Sequence, residues 1–277
     1  FIMSSEYEHE EYSNTRNPWC VASADTFGKC SAMAFFFGKE LQKAMNIPVG
    51  VVTAAKDGSF IKSWQTDGDN FKRYVDNKME PLLPFPVKGV LWYQGEAEGL
   101  SADGYNYRTY LQTMIGAWRT KWGVSNLPFY VVQLPIYNPY PLWSEIRDSQ
   151  TWVSKNVSNT WLVPTLDISD VTNIHPPKKP ELGVRLSAFV RKYTYGESNL
   201  YPEGPVYRSC EINPDNANEV LVHFDVASPI VSSDGGALKG FQMGGNYYGQ
   251  TKFYEATVRI VDNDTIGVSC SQSGLTT

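Results

Sequence analysis

The chain has 277 residues, 42% of them hydrophobic and 19% charged, with a formal net charge of −5. That is the composition of a folded globular protein rather than a disordered one, long enough for one large or two modest domains. The acidic balance argues against a nucleic-acid binder, which needs a basic face for phosphates, and no apolar run approaches the roughly 20 residues of a membrane helix.

In chain order, residues 1–30 read as polar and irregular, with a charged patch from Glu6 to Glu11. Residues 31–45 read as a helix rich in Ala and Phe, with Lys39, Glu40, Gln42 and Lys43 on a wet face. Residues 47–53 form a short apolar run of the kind found in buried parallel strands, repeated at 87–92, 129–134 and 161–166. Helical stretches lie between and after them, at 105–120, 143–155 and 180–193. This alternation predicts an α/β domain over residues 1–200, a flavodoxin-like parallel sheet sandwiched by helices. After Gly196 helical periods give way to strand alternation, as at 220–224 and 257–261, with a turn at Asp234-Gly235-Gly236. Residues 203–277 are therefore expected to be a small antiparallel, sandwich-like β domain, and its lack of a closing strand suggests an incomplete carboxyl end.

The four cysteines, Cys20, Cys30, Cys210 and Cys270, allow local pairs 20–30 and 210–270, though sequence alone does not choose among three connectivities. Two glycosylation sequons start at Asn156 and Asn263. Together these tilt toward a secreted glycoprotein. The chain opens on Phe1 with no visible signal peptide, so an upstream precursor segment is expected.

Ligands of open α/β sheets bind beyond the carboxyl ends of the strands. Three such ends carry unusual residues: 54–59 with Trp64, 92–96, and 167–170 leading to Asn173, Ile174, His175 and Pro176. These blocks, in this order, resemble the SGNH-type carbohydrate esterases, and among them the sialate O-acetylesterase family. The resemblance takes in residues 31–41, 47–50, Trp92-Tyr93-Gln94-Gly95-Glu96, Ala117-Trp118-Arg119 and Leu127-Pro128-Phe129. Gln133-Leu134, Ile174-His175-Pro176, Lys179, Gly183, Arg185-Leu186 and Gly240-Phe241-Gln242 complete it. It implies a carbohydrate O-acetylesterase acting on O-acetylated sialic acids or glycans, with no metal or organic cofactor. Nor does any cluster of His, Asp and Glu have the spacing of metal ligands.

Of the three histidines, His9 lies in the polar leader and His223 alternates within a strand, whereas His175 lies just past a strand end. In the resembled family this His-Pro histidine is the base, the usual residue for activating a serine near neutral pH; the bland alternative is a helix cap. Many SGNH enzymes carry Asp three residues earlier, where this chain has Thr172, and relatives often carry Asp two earlier, where it has Asn173. Asp170 is the nearest carboxylate and the candidate to orient the imidazole, with a turn cap or a backbone carbonyl in its place as alternatives. The oxyanion donors are Gly58, through its N–H, and Gln94, through its amide; an ordinary turn glycine and a buried structural amide are the alternatives. Glu96 is expected to support its loop by hydrogen bonding.

The family's serine sits in a Gly-Gln-Ser-Asn-Met block ahead of the first helix, and this chain has no such block. The nucleophile is therefore expected on an upstream segment or a separate chain, and these residues alone are expected to be inactive. Ser59 is the internal fallback, since no Gly-x-Ser-x-Gly elbow occurs. Trp64, Trp92 and Tyr93 are read as core or as sugar-stacking residues. An acetylxylan esterase and a non-catalytic glycan binder remain as rivals.

Overall fold

The computed structural model describes residues 2–4, 19–26, 30–66, 74–83, 85–137, 140, 142–247 and 250–271. The patch from Glu6 to Glu11, with His9, lies outside them. The chain divides into two compact units, Phe1–Pro202 and Glu203–Thr277.

The first unit contains β1 (Ile2–Ser4), α1 (Ala32–Met45), β2 (Val51–Thr53), β3 (Val90–Trp92), α2 (Tyr107–Trp122), β4 (Phe129–Val132), α3 (Trp143–Asn156), β5 (Thr160–Val163) and α4 (Lys179–Tyr193). Strands β3, β4 and β5 pair in parallel in that order, Val90 beside Phe129 and Phe129 beside Thr160, while β1 pairs in parallel with β2. The leader, read as irregular, thus contributes a strand. It was missed because three residues are too few to show a period.

Period-2 alternation explains the sandwich. On β4, Phe129 and Val131 join a core with Leu111, Met114 and Ile115 of α2 and Ile146 and Val153 of α3. The intervening Tyr130 and Val132 join the opposite core, with Ala34, Phe37 and Leu41 of α1 and Leu182, Leu186 and Phe189 of α4. Both faces of the strand are buried, so it reads as an unbroken apolar run. Trp64 and Trp92 belong to the first core, 3% and 6% exposed, in contact with Trp118. They are core residues rather than a sugar platform.

Local signals set the helix ends. Ser31 accepts the Ala34 N–H at the start of α1, and Asn46 closes it with φ 53°. Gly123 ends α2 with φ 66°. α1 and α4 pack so closely that a Cβ on Gly183 would stand 2.6 Å from Phe36 Cβ and 2.7 Å from the Phe36 carbonyl carbon, which only glycine avoids. The run at 161–166 departs from expectation: β5 stops at Val163 and Leu166 opens a 3-10 turn, Leu166–Ile168.

The second unit is antiparallel throughout its described residues. Its four-stranded sheet runs β10 (Thr257–Ile260), β11 (Thr265–Ser269), β7 (Asn216–Asp225), β6 (Val206–Asn213), beside a hairpin of β8 (Gln242–Tyr247) and β9 (Gln250–Glu255). Val258, Ile266 and Val268 form its buried core. His223 is a half-buried strand residue whose Nδ1 lies 2.9 Å from Thr265 Oγ1. The 210–270 disulfide is not formed. β6 and β11 flank β7 on opposite edges, Cys210 beside Val222 and Ser269 beside Glu219. Crossing β7 alone takes two strand spacings, about 9–10 Å, already more than the roughly 7 Å between Cα atoms that a disulfide tolerates, and the two cysteines are offset along the strands as well.

Candidate active site

Because the strands run parallel, the loops after β2, β3 and β5 emerge at their carboxyl ends. The first two loops are stapled together from inside. Gln94 donates both Nε2 hydrogens, to Ser59 O at 2.9 Å and to Glu98 Oε2 at 2.7 Å, and the other Glu98 oxygen accepts the Ile61 N–H. Glu98 is 1% exposed. The Gln94 carbonyl accepts from the Tyr107 hydroxyl at 2.9 Å and from Gln150 Nε2 at 3.1 Å, while Gln150 Oε1 takes the Leu134 N–H at 2.9 Å. Burial, reinforced by the Glu98 charge, pushes the Tyr107 phenol up, which keeps it a neutral donor. Gly95 follows with φ 133°, and a Cβ there would lie 2.7 Å from Ile146 Cγ2.

Gln94, expected as an oxyanion donor, therefore has no amide hydrogen left for one; it is the buried tie between two loops. Gly58 is placed differently. It adopts φ 62°, meets open space where a Cβ would stand, and its N–H has no hydrogen-bond partner among the described residues. Ser59 is locked: its hydroxyl donates to Lys56 O at 2.7 Å and accepts from Trp64 Nε1 at 3.0 Å. Among the described residues its hydroxyl bonds no basic side chain and fastens the turn.

The third loop carries His175. It leaves the 3-10 turn beneath a brace in which Arg185 of α4 grips both carboxylate oxygens of Asp167, Nη1 to Oδ1 at 2.8 Å. Two side-chain turns then deliver the histidine. Asp170 Oδ1 accepts from the Thr172 N–H at 2.9 Å and hydroxyl at 2.7 Å, and Asn173 Oδ1 accepts the His175 N–H at 2.9 Å. The Thr172 donors hold the Asp170 carboxyl below its usual range. His175 is exposed, and its ring makes no hydrogen bond among the described residues. Asp170, expected to orient that ring, instead caps its own turn.

The carboxylate in electrostatic contact with His175 is Glu96. Burial pushes its carboxyl up and Asp57 adds to the rise; the charges of His175 and Lys179 act the other way. Lys179 Nζ sits 5.0 Å from the centre of the Tyr93 ring, and burial lowers its pKa against the opposing pull of Glu96. His175, Lys179 and Asp57 thus all act on the charge of Glu96, Lys179 lies over the neutral Tyr93 ring, and Gly58 neighbours Asp57 in sequence. Among the described residues no group of three His, Cys, Asp or Glu could hold a metal ion.

Glu98, Tyr107 and Gln150 escaped the sequence reading. Gln150 alone left a signal there: it is a polar residue on the apolar face of α3, with Ile146 and Val153, and it is fully buried. Tyr107 leaves no local trace, since its partner Gln94 lies 13 positions away, and Glu98, although it also accepts from Gln94 four positions before it, binds the Ile61 N–H 37 positions away.

The family model for carbohydrate esterases described as sialic acid-specific acetylesterases matches residues 3–191, and the chain belongs to that family. A solved structure, a carbohydrate acetylesterase from Xanthomonas citri, superposes with a TM-score of 0.84 at 29% identity, covering 98% of this chain and 64% of that one. Human sialate O-acetylesterase is 24% identical over 76% of this chain and 49% of its own length; the mouse protein is 23% identical over 78% and 53%. The chain thus spans about half the length of the curated relatives it matches.

Proposed function

We propose that the full-length protein removes O-acetyl groups from sialic acids by serine–histidine acyl transfer. The observation that carries this is an exposed imidazole in electrostatic contact with half-buried Glu96, at the mouth that also holds a glycine N–H with no partner. A serine outside these 277 residues attacks the acetyl carbonyl while His175 takes its proton. We take that serine to be on the same polypeptide, since the comparisons lend no support to a separate chain. The Gly58 N–H holds the oxyanion, and collapse expels the sugar hydroxyl, which regains the proton from His175. Water, deprotonated by the same ring, then releases acetate.

In this mechanism the charge of Glu96, rather than that of Asp170, stabilises the imidazolium. Gln94 serves by holding the Gly58 loop in place; to act as a donor itself it would have to release Ser59 or Glu98. The Asn156 and Asn263 sequons are both exposed, which supports passage through the secretory or lysosomal route.

His175→Ala in the full-length protein is expected to lower acetate release from O-acetylated sialic acid by roughly 10³-fold or more. Wild-type turnover in that variant overturns the assignment of the base. Faster turnover of acetylated xylan than of the sialic acid ester by the wild type overturns the substrate.

A further inference from the structure

Within the described residues of the loop after β2, one large apolar side chain is left in water. Phe60 is 41% exposed, although Ile61 beside it is fully buried and Trp64 is 3% exposed. A single exposed phenylalanine is ordinary on a protein surface. Its backbone is not. The carbonyl before it, Ser59 O, is held by Gln94 Nε2, and the amide after it, Ile61 N–H, is held by Glu98. These two side chains bond each other at 2.7 Å, so a single buried pair clamps Phe60 from both sides. The Phe60 carbonyl is engaged as well, by the Ser63 N–H at 3.0 Å, and the residue is extended, at φ −77° and ψ 148°. Phe60 lies two positions from Gly58, at most about 7 Å away along the chain and less across the turn at Gly58, within the width of a pyranose ring.

We propose that Phe60 is the sugar platform of the site, its ring stacking on the apolar C–H face of the pyranose that carries the acetyl group. The assignment rests on the esterase function proposed above. It adds the residue by which the site tells a glycosyl ester from a simple one. A ring whose Cα is already fixed loses little further freedom when a ligand lands on it, so contact area converts to affinity with little ordering cost. Aromatic faces favour edge and C–H contacts, which suits a saturated ring bearing axial hydrogens. The aromatic residues first considered for this part cannot play it: Trp64 and Trp92 are core, and Tyr93 lies under Lys179.

The test is kinetic, with a binding arm, in the full-length protein. KM is measured for a mono-O-acetylated methyl glycoside and for ethyl acetate, which has no ring to stack. Phe60→Ala is expected to raise the ratio of the two KM values about tenfold, with kcat on the glycoside within about twofold, while Phe60→Tyr keeps the wild-type ratio. An unchanged ratio in Phe60→Ala, or a Tyr variant that behaves like the Ala variant, overturns the platform. In saturation-transfer NMR, irradiating the aromatic protons is expected to reach the glycoside ring hydrogens in the wild type and not in Phe60→Ala; equal transfer in both overturns it too. Failure of the esterase function has another signature. The wild type then releases acetate from neither ester, and the NMR arm still decides the platform.

Discussion

The loop after β3 and the loop bearing His175 reach the same mouth by opposite means. The first is fastened by buried groups of its own, Gln94 and Glu98, and by Tyr107 of α2 and Gln150 of α3, all under 10% exposed. The second is fastened at the surface by its own short side chains, Asp170 and Asn173, with one ion pair to Arg185 beneath it. Buried hydrogen-bond networks open only at a cost near that of global unfolding, whereas exposed turns open locally with little. In the proposed mechanism the Gly58 N–H, on the loop that Gln94 staples to the one after β3, lies on the rigid side, and His175 lies on a loop free to adjust.

The contrast can be broken most severely at Gly95. Gly95→Ala forces a Cβ into Ile146 at a φ that side-chain-bearing residues avoid, and is expected to cost about 3–5 kcal/mol. Urea unfolding reads this; a loss under about 1 kcal/mol would mean that the loop yields and is not rigid.

Glu96→Gln tests whether the two loops communicate through charge. Activity of the full-length protein is expected to fall roughly 10²-fold, while the protein stays as stable or gains stability at pH 7. The sign follows from burial: the folded Glu96 pKa lies above the ordinary value of 4.5, so the folded state holds the proton more tightly. Wild-type stability should decline as pH rises from 4.5 through the raised value, and the Gln variant should lack that decline. A variant less stable at pH 7 would show that the ionised carboxylate is structurally required.

The smallest effect is expected at Asp170. Asp170→Asn keeps the oxygen that accepts from Thr172, so stability should hardly move and activity should change by less than about twofold. A loss approaching that of His175→Ala would return Asp170 to the orienting role.

Strands β2 to β5 and helices α1 to α4 were legible because each buries one face or both in short runs, and period and length are local properties. The β1 strand was not, since its pairing to β2 depends on a partner 49 positions away. His175 was singled out by residue type and by its place past a strand end. The partners of its loop were not, because a carboxylate five positions away in sequence can be spent on its own turn, as Asp170 is on Thr172.

The order of strands and helices, the change of character after residue 196 and the histidine at the mouth were determined by the amino-acid sequence itself, through hydrophobic period and residue chemistry. Only the tertiary structure decided that Gln94 spends both amide hydrogens inside, that Asp170 turns back on Thr172, and that Glu96 shares the field of His175. Hydrogen bonds and fields act over a few ångströms in space. For Gln94 with Ser59 and Glu96 with His175 that distance joins loops which the chain keeps tens of positions apart, and for Asp170 it selects one short-range partner among several the sequence allows.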